Sequence, residues 1–114
     1  ENHCMIANHS IPVLTDACLK AIPGFDYKKA FEAMKSSSKK DHPTSPWNYA
    51  KYVKYGYYPW NVEYESVSKT LECSFNDWCV AKMAKKYGTE DDVNEFTTRS
   101  GFYKNLFNKD AGLM

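Results

Sequence analysis

The sequence predicts an all-α fold built from helical hairpins. Apolar residues recur at three- and four-residue steps over most of its 114 residues, with cap and stop residues at the ends of the runs. No stretch alternates polar and apolar residues for long enough to make a convincing strand. A chain of this length holds one modest core and buries about two-thirds of its unfolded surface. With 43% hydrophobic and 25% charged residues it is neither disordered nor fibrous, and no apolar run approaches a membrane span. Fifteen basic residues against fourteen acidic leave a net charge of +1, with the lysines dispersed. That balance speaks against a nucleic-acid or membrane partner.

The first helix takes Ser10 as N-cap and Pro12 in its first turn. Val13, Leu14, Ala17, Cys18 and Ala21 follow on one face until Pro23 and Gly24 stop it. Asp16 and Lys20 sit one turn apart as a local surface pair. Asp26 caps the second helix, with Phe25 placed to staple onto Ala30 and with Tyr27, Ala30, Phe31 and Met34 as its apolar stripe. It fades into the serines from Ser36. Between Asp41 and Glu65 the pattern becomes aromatic, with a short helix around Trp47 to Val53 and a loop carrying Tyr55, Tyr57, Tyr58 and Trp60. A long aromatic loop in a compact domain is usually functional.

The longest helix runs from Ser66 to Tyr87. Val67, Leu71, Phe75, Trp78, Cys79, Met83 and Tyr87 form its main face, which Val80 and Ala84 widen. A stripe this wide belongs to a helix packed on most sides. Gly88 stops it, and Thr89 caps a last helix with Glu90, Asp91 and Asp92 in its first turn, where the helix dipole favours them. Val93, Phe96, Ser100, Tyr103 and Phe107 continue that helix on one face. Arrays of helical hairpins close as toroids or stack as solenoids. No self-similarity joins the two helix pairs, which removes the solenoid.

Three blocks carry a family resemblance. The run from Ser66 to Ala84, SVSKTLECSFNDWCVAKMA, resembles the signature VSKTLEY…DDWCIAxMA of the family 92 glycoside hydrolases. The stretch through Arg99, Ser100, Tyr103 to Phe107 and Asp110 to Met114 resembles that family's RSxNYKNLFDxxTGFM. Upstream, Ile11 to Ala17 and Gly24 to Lys28 match LPVxxDAxxKGxxGFD in order and spacing. Ala21 departs from a usual glycine, Cys73 from a common tyrosine, and Asn76 from the acidic residue that often precedes Asp77.

The resemblance implies an (α/α)6 toroid beside a β-sandwich domain, in a calcium-dependent exo-α-mannosidase that cleaves terminal, α-1,2-linked mannosides with inversion. It also implies a protein secreted or periplasmic in a bacterium, with mannose-containing glycans and the remainder of the parent enzyme as partners. Twelve helices with ordinary connections need at least roughly 200 residues. The chain, which begins at Glu1, is therefore expected to be an internal fragment. The catalytic acid and base are expected beyond the equivalent of Met114, and the calcium ligands outside the fragment, so the chain alone is expected to be inactive.

The substrate-binding candidates are Tyr57, Tyr58 and Trp60, whose rings would stack on sugar faces, and Glu63, Glu65, Ser66 and Ser68, which would bond hydroxyls or help to place the metal. Packed loop aromatics and a serine cap explain the same residues without a ligand. Glu72 and Asp77, on an otherwise apolar helix, are either pocket carboxylates or structural partners of a neighbouring helix, and the structural reading is preferred. Cys4, Cys18, Cys73 and Cys79 form no C-x-x-C pair and read as buried thiols. His3, Cys4 and His9 match no zinc spacing. The rival function is a non-catalytic helical carbohydrate-binding or protein-interaction module, which explains the composition but not three ordered motif blocks. A fragment should also leave apolar helix surface uncovered around Phe75, Trp78 and Val80.

Overall fold

The computed structural model describes residues 6–39 and 48–114. Five α-helices follow in order: α1 (Ser10–Leu19), α2 (Tyr27–Ser37), α3 (Tyr49–Tyr55), α4 (Ser66–Tyr87) and α5 (Glu90–Ser100), then a 3-10 helix, Phe102–Leu106. The only β pairing among the described residues is an isolated bridge between Asn108 and Leu113. Trp47, and with it the first residue of the expected short helix, lies outside them.

Local chemistry sets most of the ends. The Asp26 side chain accepts the Lys29 N–H at 2.9 Å, and the Asn48 side chain accepts that of Lys51 at 3.1 Å. Thr89 and Asp92 form a reciprocal capping box at the start of α5. Two expectations are corrected. Ser10 is the first residue of α1 and not its cap; the Asn8 side chain accepts from both its N–H and its hydroxyl. Phe25 is largely exposed, and its ring neighbours that of Tyr27.

The last helix also stops sooner than its stripe implies. Gly101 ends α5, and the chain tightens into the 3-10 helix, which sets the Phe102 ring edge-on to Tyr52 at 5.1 Å. Phe107 is left exposed.

α4 is the hub, packed against α5, α1, α2 and the 3-10 helix. Its C-terminal half joins Ile11, Phe31, Met34 and Phe96 in one apolar cluster. Its N-terminal half joins a smaller aromatic cluster of Tyr49, Tyr52, Tyr58 and Cys73, with Phe102 against it. The face expected to be innermost is turned around in that half: Val67, Leu71, Phe75 and Trp78 are exposed, whereas Thr70, Ser74, Asn76 and Asp77 are buried. Phe75 is 49% and Trp78 43% exposed, as expected for uncovered surface, but Val80 is 0% exposed. Val80 lies two residues beyond Trp78, about 200° around the helix, and so meets the core instead.

Candidate functional site

The aromatic loop between α3 and α4 is fixed at both stems. Gly56 ends α3 in the left-handed conformation, φ 69°, and its carbonyl accepts the Asn105 Nδ2 amide at 2.9 Å. At the other stem the Tyr58 N–H donates to Thr70 Oγ1 at 2.9 Å, and Lys69 pairs with Glu63 at 2.6 Å.

Between these anchors the candidates separate. Trp60 is 85% exposed and Tyr57 half-buried. Tyr58 is corrected: it is 0% exposed, its ring stacked on Tyr52 at 5.2 Å and its hydroxyl beside the Cys73 sulfur. Burial pushes its phenol far above the usual range. It has no free face for a sugar, and it holds the loop. Glu63 is held through one carboxylate oxygen by Lys69 in a largely buried pair.

Glu65 is exposed, stands at φ 54° as the N-cap residue of α4, and makes no side-chain cap bond. Ser66 is half-buried and its carbonyl accepts the Thr70 hydroxyl; Ser68 is exposed in the first turn. Tyr64, which sequence reasoning missed, is the most exposed ring among the described residues at 90%. Its signal was its place in the same loop.

Behind the loop lies a buried ionic knot. Arg99 Nε and Nη2 donate to the two oxygens of Asp77 at 3.0 and 2.8 Å, and Tyr52 donates to Asp77 at 3.1 Å. Tyr52 also meets Ser74 Oγ and the Arg99 carbonyl, while Arg99 Nη2 reaches the Ser38 carbonyl at 3.0 Å. Burial raises the Asp77 carboxyl to about 7, although Arg99 and Tyr52 pull it down. Burial likewise pushes the Cys73 thiol up to about 12. Asp77 is thus a structural partner. Glu72 is half-buried and makes no ion pair among the described residues. Asn76, beside Asp77, is buried with neither amide atom bonded. An acid there would set a second carboxylate into the same dry surroundings.

The whole chain, residues 1–114, matches the glycosyl hydrolase family 92 catalytic domain. This chain belongs to that family. A solved family 92 α-mannosidase from Bacteroides thetaiotaomicron is 40% identical and superposes with a TM-score of 0.86, over 96% of this chain and 14% of its own. The same enzyme has also been solved with mannoimidazole bound. An inverting family 92 mannosidase from Bacteroides thetaiotaomicron is 32% identical, with a TM-score of 0.82 over 96% of this chain and 16% of its own. An uncharacterized secreted glycosidase of Arthroderma benhamiae is 30% identical over 111 residues, 86% of this chain and 14% of the relative. The chain therefore spans about a seventh of the length of such relatives, and its helical hairpins form part of the family's toroid.

Within this family 92 segment the exposed stripe of α4 borders an apolar groove of about 310 Å³, lined by Leu71, Ser74, Phe75, Trp78, Ser100 and Tyr103. The Phe75 and Trp78 rings lie nearly parallel, 6.0 Å apart, and Lys82 Nζ sits 4.9 Å over Trp78. Cys18, Cys73 and Cys79 are buried free thiols. Of the His3, Cys4 and His9 group, the first two lie outside the described residues. Among the described residues no group of three or more His, Cys, Asp or Glu is placed to hold a metal ion, and no helix is long and apolar enough to cross a membrane.

Proposed function

We propose that this chain is part of the catalytic domain of an inverting exo-α-mannosidase that removes terminal, α-1,2-linked mannose from glycans. The observation that carries the reading is 40% identity to a solved family 92 α-mannosidase over 96% of the chain. Inversion needs an acid and a base carboxylate far enough apart to admit water. Neither is assigned here: Asp77 is held by Arg99, Asp92 by Lys35 and Glu63 by Lys69, so buried carboxylates of the segment are already engaged. Among the described residues no three His, Cys, Asp or Glu side chains converge to hold a metal ion, and we assign calcium to other parts of the protein.

The segment contributes a binding wall. Trp60 supplies an open ring face for a sugar, and Glu65 and Ser68 supply exposed oxygens for its hydroxyls; Tyr57 and Ser66 line the same stretch. Other helices of the longer protein cover the α4 stripe. The protein is exported by a bacterium that degrades glycans.

The test uses the full-length protein on an aryl α-mannoside and on α-1,2-, α-1,3- and α-1,6-mannobiose, with the anomer released followed by NMR and with a chelator arm. Release of β-mannose, fastest from the α-1,2 substrate and abolished by chelation, is expected. Trp60→Ala should cost the specificity constant about 1–3 kcal/mol, by analogy with other flat rings stacked on aromatics, at nearly unchanged Tm. A collapsed Tm with normal kinetics would make Trp60 architecture, at about 3–5 kcal/mol for a buried aromatic.

A further inference from the structure

We infer that Asn105 is a positioning residue for the Trp60 loop, acting from the 3-10 helix on the glycine hinge at which the loop begins. This rests on the mannosidase reading of that loop. Gly56 is buried, stands at φ 69° and ψ 18°, and its N–H closes α3 on the Tyr52 carbonyl at 2.9 Å. Its carbonyl has turned out of the helix and is held by Asn105 Nδ2 at 2.9 Å. The approach is tight: a Cβ added to Gly56 would lie 2.8 Å from that nitrogen and 3.8 Å from the Phe102 ring. The direction in which the chain leaves α3 is therefore set by a side chain 49 residues away.

The rest of the loop extends that direction to the site. Two residues on, the Tyr58 amide is tied to Thr70 and its ring is locked against Tyr52; two further on, Trp60 stands in solvent. Among the described residues Trp60 has no ring or hydrogen-bond partner of its own, so its placement comes from these stems. Without the Asn105 donor the part-buried Gly56 carbonyl loses its partner, and rotation about the glycine, which costs little, turns it toward water. Trp60 moves with that rotation.

The experiment compares Asn105→Asp, which keeps the shape but cannot donate, with wild type in the full-length protein. A ring platform binds ground state and transition state alike, so its displacement raises KM and leaves kcat. On an aryl α-mannoside KM is expected to rise on the order of tenfold, the equivalent of about 1.4 kcal/mol, with kcat within about twofold. Chymotryptic cleavage after Trp60 and Tyr64, read by mass spectrometry, is expected to accelerate. Unchanged KM, or equal losses of kcat and Tm with KM unmoved, would overturn the proposal. Should Asn105→Asp fail to fold, Thr70→Val loosens the opposite stem, and the same KM rise and cleavage are required of it. A full-length wild type with no α-mannosidase activity would sink the mannosidase reading alone, and unaccelerated cleavage would then still refute the clamp.

Discussion

Arg99→Met offers the most direct measurement of what holds the segment together. Arg99 and Asp77 are both buried, and the guanidinium gives Asp77 two short hydrogen bonds and the Ser38 carbonyl a third. Its further bond to Glu95 reaches a partly exposed carboxylate and is worth at most about 1 kcal/mol. Methionine keeps much of the apolar contact with Phe96, whose ring lies 4.8 Å from the guanidinium carbon. What it removes is the countercharge. Leaving one member of a buried pair behind costs about 3–5 kcal/mol, and that cost dominates the others because all of them share the same desolvated volume.

Hydrogen exchange of the α4 amides from residue 73 to 81, measured in the full-length protein at pH 8, reads this locally. At 1.4 kcal/mol per tenfold, the variant should exchange about two to three and a half decades faster. Asp77→Leu combined with Arg99→Met removes both charges and should recover most of the loss. Acceleration under about fivefold, or a double variant as damaged as the sum of its singles, would refute the view that the pair is a matched buried unit.

Two further outcomes follow from the same structure. Because burial raises Asp77 from 3.8 to about 7, the native state holds a proton between those values that the unfolded chain has released, so stability present at low pH is lost as pH rises through the window. Melting of Asp77→Asn should therefore fall less than that of wild type between pH 5 and pH 8, and equal slopes would count against it. Ala21 stands at φ 53°, a left-handed conformation that costs a non-glycine residue about 1–2 kcal/mol, so Ala21→Gly should stabilise the protein by up to about 1 kcal/mol after the added unfolded-state entropy is subtracted. A lower Tm for Ala21→Gly would show that another contact of the alanine methyl outweighs the strain.

Much of the fold was legible because it is local. Asp26, Thr89, Gly88 and the 22-residue periodicity of α4 each act through neighbours within a turn or two, which a sequence displays directly. The end of α5 was misread for the opposite reason. Phe107 keeps the helical spacing, yet the gain that stops the helix is the Phe102 ring meeting Tyr52, a contact across 50 residues. The reversed face of α4 has the same origin: its buried Ser74 and Asp77 are polar, and what turns them inward is their bonding to Tyr52 and Arg99, partners more than 20 residues away. Departures from the family pattern carried more than they promised, since the alanine in place of a glycine sits at a backbone position that favours glycine.

The site divides along the same line. Tyr58, Trp60 and Tyr64 are indistinguishable as letters, each an aromatic in a loop rich in aromatics, and their roles are assigned by what the stems do to them. Tyr58 lies under the Thr70 anchor and is drawn into the Tyr52 stack, whereas Trp60 and Tyr64 fall beyond it, on either side of Glu63, whose pair with Lys69 ties the loop to α4. The loop closes at Glu65, a non-glycine residue held at φ 54° in the open. Strain of this kind persists only where the surroundings over-determine the backbone, and here they do: Lys69 fixes Glu63 two residues before it, and the Lys69 N–H bonds the Glu65 carbonyl at 2.9 Å. A flexible aromatic loop would lose entropy on meeting a sugar. On the proposed reading, one anchored on Asn105, Thr70 and Lys69 has lost it already, on folding, which leaves the stacking energy of its open rings for the ligand.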